Sequence, residues 1–332
     1  MEKSFEDITI RNIWEARKRI ATIINKTPLI KSTILSEITG NTVYLKLENV
    51  HEIGAFKVRG AANKILSLTS KQQERGVTTF STGNHGMAVA YVANQLGIKS
   101  VVCISRRVPR VKVDNLKRLG AQVEIIGDSQ DEAAERCYEL QKTLGLTLIK
   151  PFDDPDVIAG QGTIGLEIIE ENPEVDTVVV PLSGGGLLAG VSLALKSMDS
   201  SIQVAGVSME HGAVMYESLK VNKPVLLKEV ETLADSLLGG IGLNNRYTFN
   251  MVKKYMDDVV LVTEEEIAEG LIFMLDKHRM VVEGAAATGV STVLKQKLKK
   301  TGKNIVVIIS GCNVDLSVVT DISENYISKI KS

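Results

Sequence analysis

Residues 176–190 read DTVVVPLSGGGLLAG. A run of valines ends at Pro181 and Leu182, three glycines follow a serine, and an apolar helix-like stretch begins at Leu187. A strand with no polar face is one covered on both sides, which is the habit of parallel sheets. A strand that passes through a glycine turn into a helix is the repeating unit of an α/β fold. Consecutive glycines let backbone N–H groups converge on one point, and the helix start adds partial positive charge, so Ser183, Gly184, Gly185, Gly186 and Leu187 suit a phosphate. A turn alone needs glycine. It does not need three of them beside a serine.

The same loop fits another motif. Gly184-x-Gly186-x-x-Ala189 matches the dinucleotide fingerprint, with Glu210 about 20 residues later at the end of the next strand. Alone this supports an NAD-dependent oxidoreductase, although glycine triplets satisfy the pattern by default.

Working outward, short β-rich runs alternate with helical patterns. Strands are expected at 42–47, 77–81, 99–105, 121–126, 176–182, 202–208, 258–262 and 303–310, with helices such as MAVAYVANQLGI and EEEIAEGLIFMLDKHR between them. The expected architecture is α/β, with mostly parallel twisted sheets and helices on both faces. No Pro/Gly/Ser linker divides the chain. Residues 47–148 read as one compact unit inserted between 1–46 and 149–332, with a cleft between the two parts. The residues after 315 read as one more helix, with no room for an appended regulatory domain.

Composition removes several function classes. The 332 residues are 44% hydrophobic, enough for a large core, and the net charge of −1 exerts no pull toward nucleic acid or anionic membrane. Aromatics at 4% leave little for base stacking. Cys103, Cys137 and Cys312 are scattered, without metal-site spacing, which fits a reduced cytoplasmic setting. No metal site is expected, and no apolar run is long enough to span a bilayer.

Three further segments carry polar groups at strand or helix ends. FSTGNHGMAVAYVA (80–93) sets Ser81, Thr82, Gly83, Asn84, His85 and Gly86 between a strand and a helix expected from about Met87. One cap explains one of these residues, and the rest suit a carboxylate at a helix N-terminus. GAFKVRGA (54–61) sets Lys57 behind Phe56 and between Gly54 and Gly60. The bland reading is a snorkelling surface lysine. The flanking glycines instead imply close approach, and a buried lysine has a depressed pKa, so its amine can attack a carbonyl and form a Schiff base. An oxidoreductase has no use for that. Finally, VVIISGCNVD (306–315) ends a strand at Ser310, placed for an ordinary turn or for a neutral hydrogen bond to a ring nitrogen.

Taken in order, these motifs resemble the fold-type II pyridoxal-phosphate enzymes, in the serine/threonine dehydratase and serine racemase branch. The likeness runs from TPLIKS (27–32) through GAFKVRGA, STGNHG, PFDDPDVIAGQGTIGLEI and SGGGLLAG to SGCNVD (310–315). It implies a tryptophan-synthase-β-like two-domain fold and pyridoxal 5'-phosphate as cofactor. Lys57 would hold the cofactor and Phe56 would pack on its ring. Asn84 would bond its 3-hydroxyl, residues 183–187 its phosphate, and Ser310 its ring nitrogen. Ser81, Thr82, Asn84 and His85 would gather the substrate carboxylate, with Lys57, Thr82 and Ser310 taking part in catalysis.

The implied activity is loss of water from L-threonine or L-serine, giving a 2-oxo acid and ammonia, in a homodimer. Racemisation is the alternative within the branch, for which Thr82 stands where racemases carry serine. The family's cation site pairs a carboxylate at Glu210 with an aspartate six residues on, where this chain has Tyr216. Segments 206–219 and 232–249 are most similar to dehydratases of hydroxyectoine utilisation. A non-catalytic amino-acid-binding protein is the remaining alternative.

Overall fold

The computed structural model describes residues 4–81 and 83–331, the side chains at 130, 131 and 329–331 excepted. From the N-terminus, α1 (Ile10–Ile20), β1 (Leu29–Lys31), α2 (Thr33–Thr39) and β2 (Thr42–Leu47) lead into α3 (Lys57–Leu66) and α4 (Ser70–Arg75). Strand and helix then alternate: β3 (Val77–Thr79), α5 (Asn84–Gln95), β4 (Ser100–Ile104), α6 (Arg110–Arg118), β5 (Gln122–Ile125), α7 (Gln130–Leu144) and β6 (Thr147–Leu148). Next come α8 (Pro155–Glu171), β7 (Thr177–Pro181), α9 (Gly186–Met198), β8 (Gln203–Met209), α10 (Val214–Lys220) and α11 (Thr248–Tyr255). The chain closes with β9 (Asp258–Val262), α12 (Glu264–His278), α13 (Gly284–Leu294), β10 (Asn304–Ile309) and α14 (Leu316–Lys331).

These strands build two sheets. One has six strands in the order β1-β2-β10-β7-β8-β9, and the other has four in the order β5-β4-β3-β6. Every pairing is parallel except β1 with β2. The expected mostly parallel α/β fold is therefore the one observed. All eight expected strands are present, most a residue or two shorter than read. The two that the sequence reading missed, β1 and β6, have three and two residues and lie at sheet edges, too short to show any periodicity.

The valine runs do what their composition dictates. Along β10, Ile305, Val307 and Ile309 join one core with Ala286 and Val290 of α13, while Val306 and Ile308 join the opposite core with Ile164 of α8 and Leu188 of α9. Side chains alternate between faces along a strand, so a wholly apolar strand must be buried on both. In the smaller sheet Val101 and Cys103 pack against α7, and Val102 and Ile104 against α5 and α6.

The elements start and stop on local chemistry. Asp154 Oδ1 accepts the N–H groups of Asp156 and Val157, and Pro155 opens α8 without an N–H to satisfy. Thr263 and Glu266 close a capping box on α12.

Helix α3 is bound to the larger sheet by a buried ion cluster. Arg59 Nε lies 2.7 Å from Glu48 Oε2 and its Nη1 2.6 Å from Glu167 Oε1, with the Thr27 and Thr163 hydroxyls filling out the guanidinium. Lys46 Nζ lies 2.9 Å from Glu167 Oε2 and 2.8 Å from Glu171 Oε1. The guanidinium holds the Glu48 carboxyl well below the usual carboxylate range against the opposing effect of burial. Glycines let the same helices touch: a Cβ on Gly160 would run into the backbone of Arg59 and Gly60, and one on Gly60 into Gln161 and Val157. The close approach implied by Gly60 is thus to α8 and not to a ligand.

Candidate active site

Lys57 is the first residue of α3. The turn before it is pinned to the end of β10: Ala55 bridges Gly311, the Phe56 N–H donates to Ser310 O at 3.0 Å, and the Cys312 N–H donates to Gly54 O at 2.9 Å. Gly54 sits at φ +69, where any Cβ would come 2.9 Å from Cys312 Sγ. Its role, like that of Gly60, is to let two pieces of chain meet. The amine of Lys57 donates to Pro151 O at 2.9 Å and lies 5.3 Å from the centre of the Phe56 ring. Burial pushes its pKa down to about 8, opposed by the negative charge of Glu283. A larger share of the amine is then neutral and nucleophilic near pH 8.

The loop 183–187 joins β7 to α9 as expected, with the helix already begun at Gly186. Ser183 donates its hydroxyl to Leu237 O at 2.8 Å, so what the loop offers a ligand is backbone N–H. Gly185 lies at φ +85, and a Cβ there would meet Met215, Val252 and Thr248. On Gly184 a Cβ would collide with the Phe152 ring, and on Gly186 it would press on the Phe152 backbone. None of the three positions accepts a side chain. The first-turn N–H groups of α9 have no carbonyl one turn back, which leaves them for an anion.

The segment around 84 is arranged differently from expectation. Helix α5 begins at Asn84, three residues before Met87, so Asn84, His85 and Gly86 form its first turn. The Asn84 amide donates to both Glu283 oxygens, at 3.1 and 2.9 Å, and its Oδ1 accepts from Asn313 Nδ2 at 2.7 Å. His85 is buried, with Nε2 2.9 Å from Ile149 O. A carbonyl partner requires the proton on Nε2. Burial, and then the nearby Lys57, push the ring pKa down to about 3, so the ring is neutral. Its Nδ1 is a buried acceptor without a protein partner. His85 therefore offers a carboxylate its backbone N–H and not its side chain. The Ser81 carbonyl is folded tightly over Gly86, where no Cβ fits. Thr82 lies outside the described residues.

Ser310 follows β10 and is 2% exposed. Beyond it, Gly311 O accepts the Glu283 N–H at 3.1 Å, and the Glu283 carboxylate fills the space where a Gly311 Cβ would stand. Glu283 escaped the sequence reading. It is 1% exposed, and burial raises its carboxyl to about 7. Its one sequence signal is a lone carboxylate immediately before the apolar helix GAAATGVSTVL. Pro151, Phe152 and Asn313 were also missed as contributors.

Direct contacts link all these groups in a single chain: Asn84 to Glu283, Glu283 to Gly311, Ser310 to Phe56, Lys57 to Pro151, and Phe152 to Gly184 and Gly186. The amine and the glycine loop are thus held by adjacent residues, whose Cα atoms lie one peptide apart. A cleft of about 450 Å³ opens beside Asn313, lined also by Lys112 and Asp235. A wider groove of about 980 Å³ between α12 and α14 contains none of the residues of this site.

An anion cradle beside a half-buried amine of lowered pKa fits a phosphorylated aldehyde, and the donor set contains nothing that conflicts with pyridoxal phosphate. Glu210 at the end of β8 is exposed, Tyr216 lies under Lys220, and no cluster able to hold a metal occurs among the described residues.

Comparison with known proteins agrees with this geometry. Residues 20–311 match the family model described as pyridoxal-phosphate dependent enzyme. The chain is 43% identical to the L-threonine ammonia-lyase of Thermotoga maritima over 94% of its own length and 77% of that enzyme's. It is 39% identical to the catabolic L-threonine dehydratase of Staphylococcus aureus, over 96% and 92% of the two chains. Among solved structures, maize serine racemase superposes with a TM-score of 0.90 at 32% identity, covering 98% of this chain and 99% of that one.

Proposed function

The chain belongs to the pyridoxal-phosphate dependent enzyme family, and from that premise we propose that it eliminates water from L-threonine or L-serine, releasing a 2-oxo acid and ammonia. It is a lyase of the threonine ammonia-lyase type. When bound, pyridoxal phosphate supplies an aldehyde that takes up the substrate amine and a ring that stabilises negative charge at the α-carbon.

The chain's own residues supply the rest. Backbone N–H groups of residues 183–187 would hold the phosphate, and Phe56 and Ser310 would be the residues at the ring. The Ser310 hydroxyl would give a ring nitrogen a neutral partner and no carboxylate. The first turn of α5, through the N–H groups of Asn84, His85 and Gly86, receives the substrate carboxylate. Ser81 and Thr82, which precede that turn in the sequence, are assigned to the same carboxylate site. The Asn84 amide, clamped between Glu283 and Asn313, is fixed by both partners and would be the side chain at the 3-hydroxyl. The Lys57 amine would remove the α-proton, a task its lowered pKa suits at near-neutral pH.

Residues 47–148 serve as a domain inserted between 1–46 and 149–332. This is supported by the four-stranded sheet lying wholly within them, while the six-stranded sheet draws its strands from both flanks. Binding a carboxylate at α5 would draw the two sheets together and exclude water. Lys112 of α6, 4.0 Å from Asp235 across the cleft, is placed to follow that motion. A homodimer and a cytoplasmic location complete the reading, the latter supported by three unpaired cysteines.

One observation carries the proposal: a half-buried lysine amine of lowered pKa held beside a glycine cradle that admits no side chain. Purified protein supplied with pyridoxal phosphate should release 2-oxo acid from L-threonine or L-serine, and Lys57→Ala should lose the activity. An active Lys57→Ala, or a wild type inert toward a panel of β-hydroxy amino acids, contradicts it. The likeness to a serine racemase favours a second, lesser reading, which chiral analysis of serine after incubation decides.

A further inference from the structure

PFDDPDV (151–157) recurs in the motif order quoted above, yet no step of the proposed reaction uses Pro151-Phe152-Asp153-Asp154. In the structure these four residues touch the site or the elements that carry it. Pro151 O accepts from the Lys57 amine at 2.9 Å. The ring of Phe152 lies under Gly184 and its backbone under Gly186. Asp153 is 8% exposed and accepts three backbone N–H groups, from Arg246 at 2.9 Å, Tyr247 at 2.9 Å and Thr248 at 3.0 Å, which fixes the start of α11. That start presses back on the loop, since Thr248 and Val252 are two of the three groups a Gly185 Cβ would strike. Asp154 caps α8 through Oδ1 and pairs through Oδ2 with Lys64 at 2.8 Å, on the helix that Lys57 opens.

Loops commonly cap helices and fill space. Here the contacts converge on two groups that must keep a fixed separation: the lysine amine and the phosphate-binding N–H groups. The loop is held on one side by Phe152 and on the other by α11, which Asp153 anchors. The amine is held by Pro151, and its helix by Asp154.

We propose that residues 151–154 are a positioning strap that sets the span from the Lys57 amine to the phosphate cradle, with Phe152 and Asp153 its positioning residues. The proposal rests on the assignment of Lys57 and residues 183–187 above. A strap of this kind acts on the bound cofactor and not on the reacting atoms, because displacements well below 1 Å already matter to a preorganised site.

The test compares wild type with Phe152→Ala, Phe152→Leu, Asp153→Asn and a distant core variant, Leu140→Ala, which lies in the core of the smaller sheet. Pyridoxal phosphate is titrated into each cofactor-free protein while urea unfolding of the same samples reports stability. Phe152→Ala and Asp153→Asn should weaken pyridoxal phosphate binding by about tenfold or more, with Phe152→Leu between them and the wild type. Leu140→Ala should lose stability while binding as the wild type does. Affinities of Phe152→Leu and Asp153→Asn within about twofold of wild type would overturn the strap, whether or not Phe152→Ala folds. A wild type that takes up no pyridoxal phosphate refutes instead the assignment beneath it.

Discussion

At the residue scale, Lys57 gives the most direct prediction. Its pKa is about 8 in the folded chain, below the 10.5 of an ordinary lysine, so in cofactor-free protein its acylation rate should rise with pH around 8, before that of surface lysines. In Glu283→Gln the opposing negative charge is gone, and the midpoint should fall further; an unchanged midpoint would show that the two groups do not interact. The sign for stability follows. Between pH 8 and 10.5 the unfolded chain binds the proton that the folded one has lost, so folding stability contributed at Lys57 rises with pH across that window. Urea midpoints of wild type and Lys57→Met, compared across it, check the slope. Lys57, Asn84, Ser310 and the glycine loop were legible because each sits in a short motif at a strand or helix end. Glu283 and Phe152 were not, because what makes them part of the site is a partner far along the chain. Gly54 and Gly60 were legible as sites of close approach but not for what approaches them. Only the packed structure shows that the neighbours are residues 312–313 and α8.

At the element scale, the meeting of α3 and α8 depends on Gly60. A Gly60→Ala side chain would intrude on Gln161 and Val157, and overpacking of this kind costs about 1–3 kcal/mol. Urea unfolding should show that loss, and a second change, Gln161→Ala, should recover part of it. No recovery would mean the contact is not limiting. The central strands were readable from composition, since both faces of β7 and β10 are apolar. Boundaries were less so: Asn84 and His85, read as loop, belong to the first turn of α5, because polar residues that favour caps are also tolerated in a first turn whose N–H groups lack intrahelical partners.

At the scale of the whole molecule, the Arg59 cluster ties helix α3 to β2 and α8, and so ties Lys57 to the larger sheet. Arg59→Met would leave Glu48 and Glu167 buried with one cation fewer, a defect costing about 3–5 kcal/mol. Its thermal midpoint should drop markedly, and a midpoint matching the wild type would remove the cluster from the account. The mostly parallel α/β layering was legible from the alternation of strand and helix. The ion cluster was not, because Lys46, Glu48, Arg59 and Glu167 look like ordinary surface charges until folding buries them. All of this structure serves one claim, that a single amine faces the glycine cradle. Borohydride reduction of the pyridoxal-phosphate-loaded protein, followed by peptide mass spectrometry, tests it. The phosphopyridoxyl mass should appear on the peptide containing Lys57 and on no other. Its absence there, or its attachment to a different lysine, contradicts the account.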